Sequence, residues 1–204
     1  MIISIVSYGT GNINSVLKAV SDLNYTAKVV KNPRELSRSD KIILPGVGSF
    51  FSCMSLLNLG NWTEELTYLV KEKKVDILGI CLGMQLLAKS SEEDIFSSGL
   101  GFLECEVKSL KNEGCTNVLP HMGWNSVEIH GSSKLLKDIP NKTDFYFANS
   151  YFCKNIKDEY ITGFANYDIK FPATVEFENI YGSQFHPEKS SKMGKKLLEN
   201  FLKV

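Results

Sequence analysis

The sequence has few histidines and no paired cysteine motif. Its three histidines, His121, His130 and His186, lie too far apart in the chain for metal-ligand spacing. Its five cysteines are odd in number and form no CxxC pattern, so we expect neither a disulfide framework nor a zinc site. Free cysteines are typical of a reducing compartment. The sequence therefore predicts a cytoplasmic chain that needs no metal and no other cofactor.

The sequence also lacks an excess of charge of either sign and lacks a long hydrophobic run. Its 23 basic and 23 acidic residues balance, and a neutral chain has no electrostatic footprint for nucleic acid or a charged membrane surface. No run reaches the roughly 18 apolar residues of a membrane span. The apolar start, residues 1–6, has no positively charged flank, so we interpret it as a strand rather than a signal peptide. Four lysines indicate a solvated helix face or, alternatively, a local basic patch: Lys189, Lys192, Lys195 and Lys196.

The order of apolar segments predicts the fold class. In the first half, short β-branched runs alternate with segments of helical periodicity, which is typical of a parallel sheet covered by helices on both faces. The second half has short strand-like runs separated by turn residues, which predict an antiparallel extension. Neither an internal repeat nor a long linker interrupts the chain, so residues 1–204 are expected to form a single α/β domain.

Individual elements follow from the same patterns. Strands are predicted at residues 2–7, 27–30, 41–44, 75–80, 107–110, 126–129, 145–147, 160–165 and 174–177. Helices are predicted at residues 13–23, after residue 48, and at residues 62–74, 84–89 and 192–204. A hairpin turn is predicted at residues 178–179, although Glu is unusual there.

The segment around Cys81 carries the strongest chemical signal. It places a G-x-C-x-G pattern between a buried strand and a helix, which is the cysteine form of a nucleophile elbow. The positive end of the following helix would favour a thiolate, and the N–H group of Leu82 would stabilise an oxyanion. The alternative is a structural cysteine at a glycine-flanked turn. This motif alone supports the catalytic and the structural interpretation of Cys81 equally.

A thiol nucleophile needs a base, and His186 has a suitable setting. His186 and Glu188 stand two apart around Pro187 at the end of a predicted strand, so their side chains can point the same way. A carboxylate there would orient the imidazole and support the imidazolium. An isolated H-P-E is more often a surface histidine beside a solvated glutamate. Its combination with a cysteine elbow favours the catalytic interpretation.

A glycine-rich loop follows the strand at residues 41–44. The loop reads P-G-x-G and supplies Gly46, Val47 and Gly48 at the carboxyl end of that strand, where α/β sheets place their sites. It is either an oxyanion loop facing Cys81 or a plain strand-to-helix turn. The earlier Gly9-Thr10-Gly11 is not a dinucleotide fingerprint, because Asn14 stands where the third glycine would be required.

Together these segments resemble the class I (triad) glutamine amidotransferases, in the order that the family uses. Within the family, the chain is most similar to the branch that supplies ammonia to a β/α-barrel cyclase in histidine biosynthesis. The similarity covers essentially the whole chain. It is carried by residues 8–12, 44–48, 79–85, 120–125 and 184–191, of which P-H-M-G-W-N and H-P-E-K-S-S are the most specific.

The resemblance implies a mechanism and a role for each site residue. Cys81 would attack the carboxamide of glutamine, with His186 as base and then acid and Glu188 orienting it. The 46–48 loop and Leu82 would hold the oxyanion. The family binds the amino-acid end of glutamine at the positions of Gln85, Ser150 and Tyr151. Positions at the family's interface with the cyclase, in a heterodimer, match Asn12, Asn14, Trp124 and Lys189. From the sequence alone, Trp124 is equally compatible with an interface anchor and with a core tryptophan.

One position departs from the family. Its members usually carry a histidine before the Ser-Tyr pair, where this chain has Asn149. Asn149 cannot take up a proton near neutral pH, but the proposed triad does not use it. The departure suggests, as an alternative, a paralogue that supplies ammonia to a related synthase acting on another acceptor, such as a nucleotide-sugar precursor.

Two alternatives come from other functional classes. One is a thiol peptidase or another hydrolase on a similar sheet, and Gln85 together with the P-H-M-G-W-N segment argues against it. The other is a non-catalytic regulatory subunit, and the intact Cys81, His186 and Glu188 argue against that.

Overall fold

The first half of the chain alternates strands and helices. The computed structural model describes residues 1–93 and 95–204. The elements of the first half are β1 (Ile3–Val6), α1 (Ile13–Ser21), β2 (Ala27–Val30), β3 (Lys41–Gly46), α2 (Phe50–Leu59), α3 (Trp62–Thr67, continued by a π-helical turn at Tyr68–Glu72), β4 (Asp76–Cys81) and α4 (Leu82–Leu86).

The second half is rich in strands and ends in one long helix. It contains β5 (Ala88–Ser91), β6 (Ser97–Ser98), β7 (Leu103–Ser109), β8 (His121–Ile129), β9 (Thr143–Asn149), β10 (Tyr151–Lys154), β11 (Ile161–Tyr167), β12 (Ile169–Phe177), β13 (Ile180–Ser183) and α5 (Ser191–Lys203). Short 3-10 turns lie at Pro33–Arg38, Asp158–Tyr160 and Pro187–Lys189.

The strands of the described residues form two sheets. The large sheet has the order β2-β1-β3-β4-β13-β12-β11-β8-β9, and the small one has the order β10-β7-β5-β6. Strands β2, β1, β3, β4 and β13 run parallel to one another, whereas β12, β11, β8 and β9 continue the large sheet with antiparallel pairs. The predicted α/β fold, a parallel sheet with an antiparallel extension, is confirmed.

The centre of the large sheet is buried on both faces. In β3, Ile42 and Leu44 pack into one apolar layer, and Ile43 packs into the layer on the opposite face. Such continuous apolar runs are what strands covered by helices on both sides require. The carboxyl ends of β1, β3, β4 and β13 meet at one edge of the sheet, because these strands are parallel. The described residues contain no helix long and apolar enough to span a membrane.

One predicted helix was wrong, and the strands β5, β6 and β10 were not predicted. The helix predicted at residues 84–89 begins and ends earlier, at Leu82–Leu86, and the chain enters β5 instead. Ser90 and Ser91 are poor helix formers, and pairing with β6 and β7 satisfies their backbone. Strand β10 was missed, because its four residues show no clear alternation before β7 pairs with them. The predicted hairpin turn at residues 178–179 is confirmed between β12 and β13.

Candidate active site

The backbone at Cys81 has the strained geometry of a nucleophile elbow. Cys81 ends β4 with φ +55° and ψ −113°, and α4 begins at the next residue. The turn depends on Gly83, where an added Cβ would lie 1.8 Å from the carbonyl oxygen of Leu44. Since this atom is backbone, no side-chain movement could relieve the clash. The close approach of helix α4 to strand β3 at the elbow therefore requires glycine at position 83.

The short helix changes one part of the expected electrostatics. Helix α4 has only five residues, so few aligned peptide dipoles contribute at its N-terminus beside Cys81. The N–H of Leu82 stands in the first turn and has no partner within the helix. Support for a charged sulfur therefore comes from individual donors near Cys81 more than from a helix dipole.

His186 and Glu188 form a buried pair beside Cys81. Nδ1 of His186 lies 2.8 Å from Oε1 of Glu188, and the side chains are 5% and 1% exposed. The turn that carries them is tied to β9, because the His186 N–H donates to the Tyr146 carbonyl at 2.8 Å. Ser190 closes the turn: its hydroxyl donates to the His186 carbonyl at 2.6 Å and accepts from the Tyr146 N–H at 2.9 Å.

The environment of His186 favours its protonated form. Burial alone would lower the pKa of His186, but hydrogen bonds to Cys81 and Glu188, and their charges, raise this pKa to about 10. His186 is therefore protonated at neutral pH and lies as a charged hydrogen-bond donor beside the sulfur of Cys81.

Cys81 and His186 open onto a cavity of about 340 Å³. Val47, Gly48 and Leu82 line this cavity. Gly46 does not: it is buried opposite Cys81 in the β3–β4 register, and an added Cβ would lie 2.9 Å from the Gly83 nitrogen. Of the predicted oxyanion residues, the structure brings Val47, Gly48 and Leu82 to the cavity and places Gly46 behind it.

The peptide between Val47 and Gly48 has a defined orientation. The Val47 carbonyl accepts hydrogen bonds from the Thr10 hydroxyl at 2.6 Å and from the Cys53 thiol at 3.5 Å. Because a trans peptide is planar, the Gly48 N–H points away from these two groups. Gly48 has φ +105° and open space around it, so glycine is needed here for the backbone conformation.

The predicted substrate-binding residues line the same cavity. Gln85, Ser150 and Tyr151 are all present in its wall. Sequence reasoning missed Glu93, which also lines it and which accepts a hydrogen bond from the Phe50 N–H at 2.8 Å. A carboxylate in this wall suits the ammonium group of an amino acid. No local motif marks Glu93, because only the pairing of β5 and β7 brings its loop to the cavity.

The four predicted interface residues lie around the edge of the large sheet that carries the cavity. Trp124 is 54% exposed and packs edge-to-face on Tyr146, 6.2 Å between ring centroids. The ammonium group of Lys189 lies 5.6 Å from the centroid of the same ring. The core interpretation of Trp124 is therefore wrong. Asn12 and Asn14 begin helix α1, which contacts the turn at Pro187–Lys189.

The described residues offer no alternative centre for metal chemistry. Among residues 1–93 and 95–204, no group of three or more His, Cys, Asp and Glu side chains is placed to hold a metal ion. All five cysteines are free thiols, and only Cys81 lines the cavity described above.

Comparison of the sequence with known families and proteins gives consistent matches. The model of the family "Glutamine amidotransferase class-I" matches residues 4–204. A curated protein of Campylobacter jejuni (strain RM1221), imidazole glycerol phosphate synthase subunit HisH 1, is 44% identical over 202 residues, which cover 99% of this chain and 100% of that protein. The subunit HisH of Desulfitobacterium hafniense (strain DSM 10664 / DCB-2) is 43% identical over 199 residues, covering 98% and 92%.

Comparison with solved structures supports the same fold. A structure described as a glutamine amidotransferase superposes with a TM-score of 0.77 at 20% identity and covers 98% of this chain and 97% of its own. The structure of PurLQS from Thermotoga maritima also gives a TM-score of 0.77, at 18% identity, with 99% and 97% covered. At these identities the likeness concerns the fold alone.

Proposed function

The chain belongs to the class I glutamine amidotransferase family, and we propose that it acts as the glutaminase subunit of an imidazole glycerol phosphate synthase. The family predicted from the sequence is confirmed by the match over residues 4–204. The relatives at 44% and 43% identity carry the synthase subunit name over nearly their whole length. These relatives favour the amidotransferase over the peptidase and over the non-catalytic subunit.

One observation supports the chemistry most directly. Cys81 stands on a strained elbow, in one cavity with the buried His186–Glu188 pair. In the proposed reaction the sulfur attacks the carboxamide carbon of glutamine, and the imidazolium of His186 gives its proton to the amide nitrogen, which leaves as ammonia. A thioester remains. A water molecule, deprotonated by the now neutral His186, then attacks the thioester and releases glutamate and the thiolate.

The remaining cavity residues suit the other parts of this reaction. The N–H groups of Leu82 and Gly48 are the proposed oxyanion donors. Glu93 would bind the ammonium group of glutamine, and Ser150 and Tyr151 would contact its amino-acid end. Gln85 would contact glutamine through its amide oxygen, because its amide nitrogen already donates to Tyr151 and Gln184.

The proposed partner is a β/α-barrel cyclase bound at the edge that carries the cavity. Exposed apolar side chains surround that edge, and a partner would cover them: Val47, Phe51, Met122 and Trp124. Trp124 and Lys189 share contacts to Tyr146, so an aromatic and a cationic anchor lie side by side. Ammonia released at Cys81 would pass into the cyclase across this contact.

Asn149 gives the paralogue hypothesis little specific support. Its side chain is buried and donates to the Tyr151 carbonyl at 3.0 Å. The substitution therefore concerns the glutamine pocket rather than the exposed edge where an acceptor enzyme would bind. Growth of a histidine auxotroph on this gene with a standard cyclase gene would count against the paralogue, and failure to grow, with both proteins expressed, would favour it.

The direct test is the release of glutamate from glutamine. We expect weak release by the chain alone and strong stimulation by the cyclase with its nucleotide ligand. Cys81→Ala should reduce the stimulated rate by at least roughly 1000-fold, because the nucleophile is removed. Cys153→Ala serves as a control, since Cys153 is buried away from the cavity. A stimulated rate that survives Cys81→Ala would refute the proposed nucleophile.

A further inference from the structure

We infer that Gln184 is a further catalytic residue, whose side-chain amide donates a hydrogen bond to the sulfur of Cys81 and stabilises its thiolate. Nε2 of Gln184 lies 3.9 Å from Sγ of Cys81, within the longer range of hydrogen bonds to sulfur. Gln184 is completely buried. It follows β13 two residues before His186, so both side chains lie on the side of the chain that faces Cys81 while Phe185 between them packs into the core. The inference rests on the proposed role of Cys81 as nucleophile.

A single backbone carbonyl determines which end of the Gln184 amide faces the sulfur. The Tyr151 carbonyl can only accept, so Gln85 must direct its amide nitrogen to it, at 2.9 Å. The same nitrogen donates to Oε1 of Gln184 at 3.0 Å. With its oxygen engaged in this way, Gln184 presents its NH₂ group to Cys81. The orientation is therefore enforced by the surrounding hydrogen bonds.

The other neighbours of the sulfur show why an additional donor matters. The carbonyl oxygen of Ala148 lies 4.0 Å from Sγ, where it would accept from a thiol but repel a thiolate. His186 donates to the sulfur only while it is protonated, and it loses this proton to the leaving amide nitrogen during the reaction. The amide of Gln184 cannot lose a proton. It remains a donor when the thioester breaks down and the thiolate is formed again.

Asn149 acts as a positioning residue for the same amide. Its Nδ2 donates to the Tyr151 carbonyl at 3.0 Å, beside the bond from Gln85. Asn149 thereby fixes the acceptor to which Gln85 is aligned, and Gln85 in turn aligns Gln184. A histidine at position 149 would also carry an N–H donor, so Asn149→His is the conservative replacement.

The test follows the rate of Cys81 alkylation by iodoacetamide as a function of pH, without partner and without glutamine. Gln184→Met keeps the length of the side chain and removes the amide. We expect its alkylation midpoint to rise by about one pH unit, and its rate below the midpoint to fall about tenfold, since a hydrogen bond to a charged group is lost. Gln184→Glu should raise the midpoint further, because a carboxylate would face the thiolate.

Control variants separate this effect from a general loss of packing. Asn200→Leu removes another buried amide, which donates to the carbonyls of Leu135 and Lys137 far from the cavity, and should leave the midpoint unchanged. Cys81→Ala gives the background from other cysteines. Asn149→Ala should produce a smaller shift than Gln184→Met, and Asn149→His should restore the original midpoint. Thermal unfolding identifies variants that fail to fold.

The inference fails if folded Gln184→Met retains the wild-type midpoint. A second readout uses glutamine hydrolysis with the cyclase, where Gln184→Met should lower kcat about tenfold with little change in KM, because the amide contacts the sulfur and not the substrate. If the wild-type protein does not hydrolyse glutamine with this partner, the proposed function fails. The alkylation profile then still decides on the role of Gln184, because it needs neither partner nor glutamine.

Discussion

The two sides of the cavity are held in place by different physical means. On the nucleophile side, Cys81 is placed by backbone sterics: a positive φ and the contact distance between Gly83 and the carbonyl of Leu44. On the base side, His186 is placed by hydrogen bonds to Glu188, through Ser190 and to the strand β9. The first side lies in the parallel half of the large sheet. The second lies where β13 joins the parallel strands to the antiparallel extension.

This difference predicts whether a substitution on each side changes stability or activity first. A steric constraint is part of the packed fold, so its loss should be seen first as a loss of folding free energy. A hydrogen-bonded pair of titratable groups sets charge and orientation, so its loss should be seen first in the rate. Substitutions on the two sides should therefore differ in which quantity changes, and four experiments test this contrast.

The largest effect on rate is expected for Glu188→Gln. The replacement keeps the shape but removes the negative charge that supports the imidazolium of His186. We expect kcat to fall by roughly 10⁴-fold, as when the orienting acid of a serine protease triad is replaced by its amide. Measured above about pH 10, where His186 is neutral and the charge of Glu188 no longer adds stability, the melting temperature should change little, since Oε2 of Glu188 has no hydrogen-bond partner among the described residues to lose. A large drop in the melting temperature would place Glu188 among the structural residues instead.

The largest effect on stability is expected for Gly83→Ala. The new Cβ would lie 1.8 Å from the Leu44 carbonyl oxygen, and relieving this clash requires strand β3 or helix α4 to move. We expect a loss of about 3 kcal/mol or more in the free energy of unfolding, measured by denaturant titration. Gly114→Ala is the matched control, because Gly114 has φ +102° and no atom within 4 Å. It should cost only about 1 kcal/mol, and equal losses would refute the steric account.

A smaller effect on both quantities is expected for Ser190→Ala. The substitution removes the donor to the His186 carbonyl and leaves the Tyr146 N–H without its acceptor. We expect a loss of about 1–3 kcal/mol in the free energy of unfolding, together with a several-fold lower kcat, because the turn that carries the base loosens. Ser37→Ala, on an exposed turn, is the control for serine loss. An unchanged kcat would show that the bond from His186 to the Tyr146 carbonyl holds the turn alone.

The smallest effect concerns the pH dependence. The pKa of His186 is raised to about 10 in the folded protein, above its value of about 6.5 in an unfolded chain. The stabilisation from protonated His186 is therefore fully present below about pH 6.5 and is lost as the pH rises through about 10. Glutamate release should decline over the same alkaline range. In Glu188→Gln this alkaline decline should move to lower pH, because Glu188 contributes to the raised pKa. An unmoved decline would mean that the hydrogen bond to Cys81 alone sets it.

The local sequence carried much of what defines the site. The G-x-C-x-G pattern predicted a turn at Cys81, and the H-P-E spacing predicted that His186 and Glu188 contact each other; the structure has both features. Local patterns succeed here because each feature depends on residues within a few positions of one another. The role of each residue in catalysis stays a prediction until the variants are measured.

Only the tertiary structure decided the features that depend on distant segments. Glu93 carries no local signal, since it reaches the cavity through the pairing of β5 with β7. Gln184 belongs to the motif at residues 184–191, but its contact with Cys81 depends on the pairing of β13 with β4. The end of α4 at Leu86 and the exposure of Trp124 also depended on which segments pack nearby. By itself the sequence determined the alternation of strands and helices in the first half up to β4, the family and the predicted triad, because these follow from short-range periodicity and contiguous motifs. The arrangement of hydrogen bonds around the sulfur required the folded chain, because its members are up to 103 positions apart in sequence.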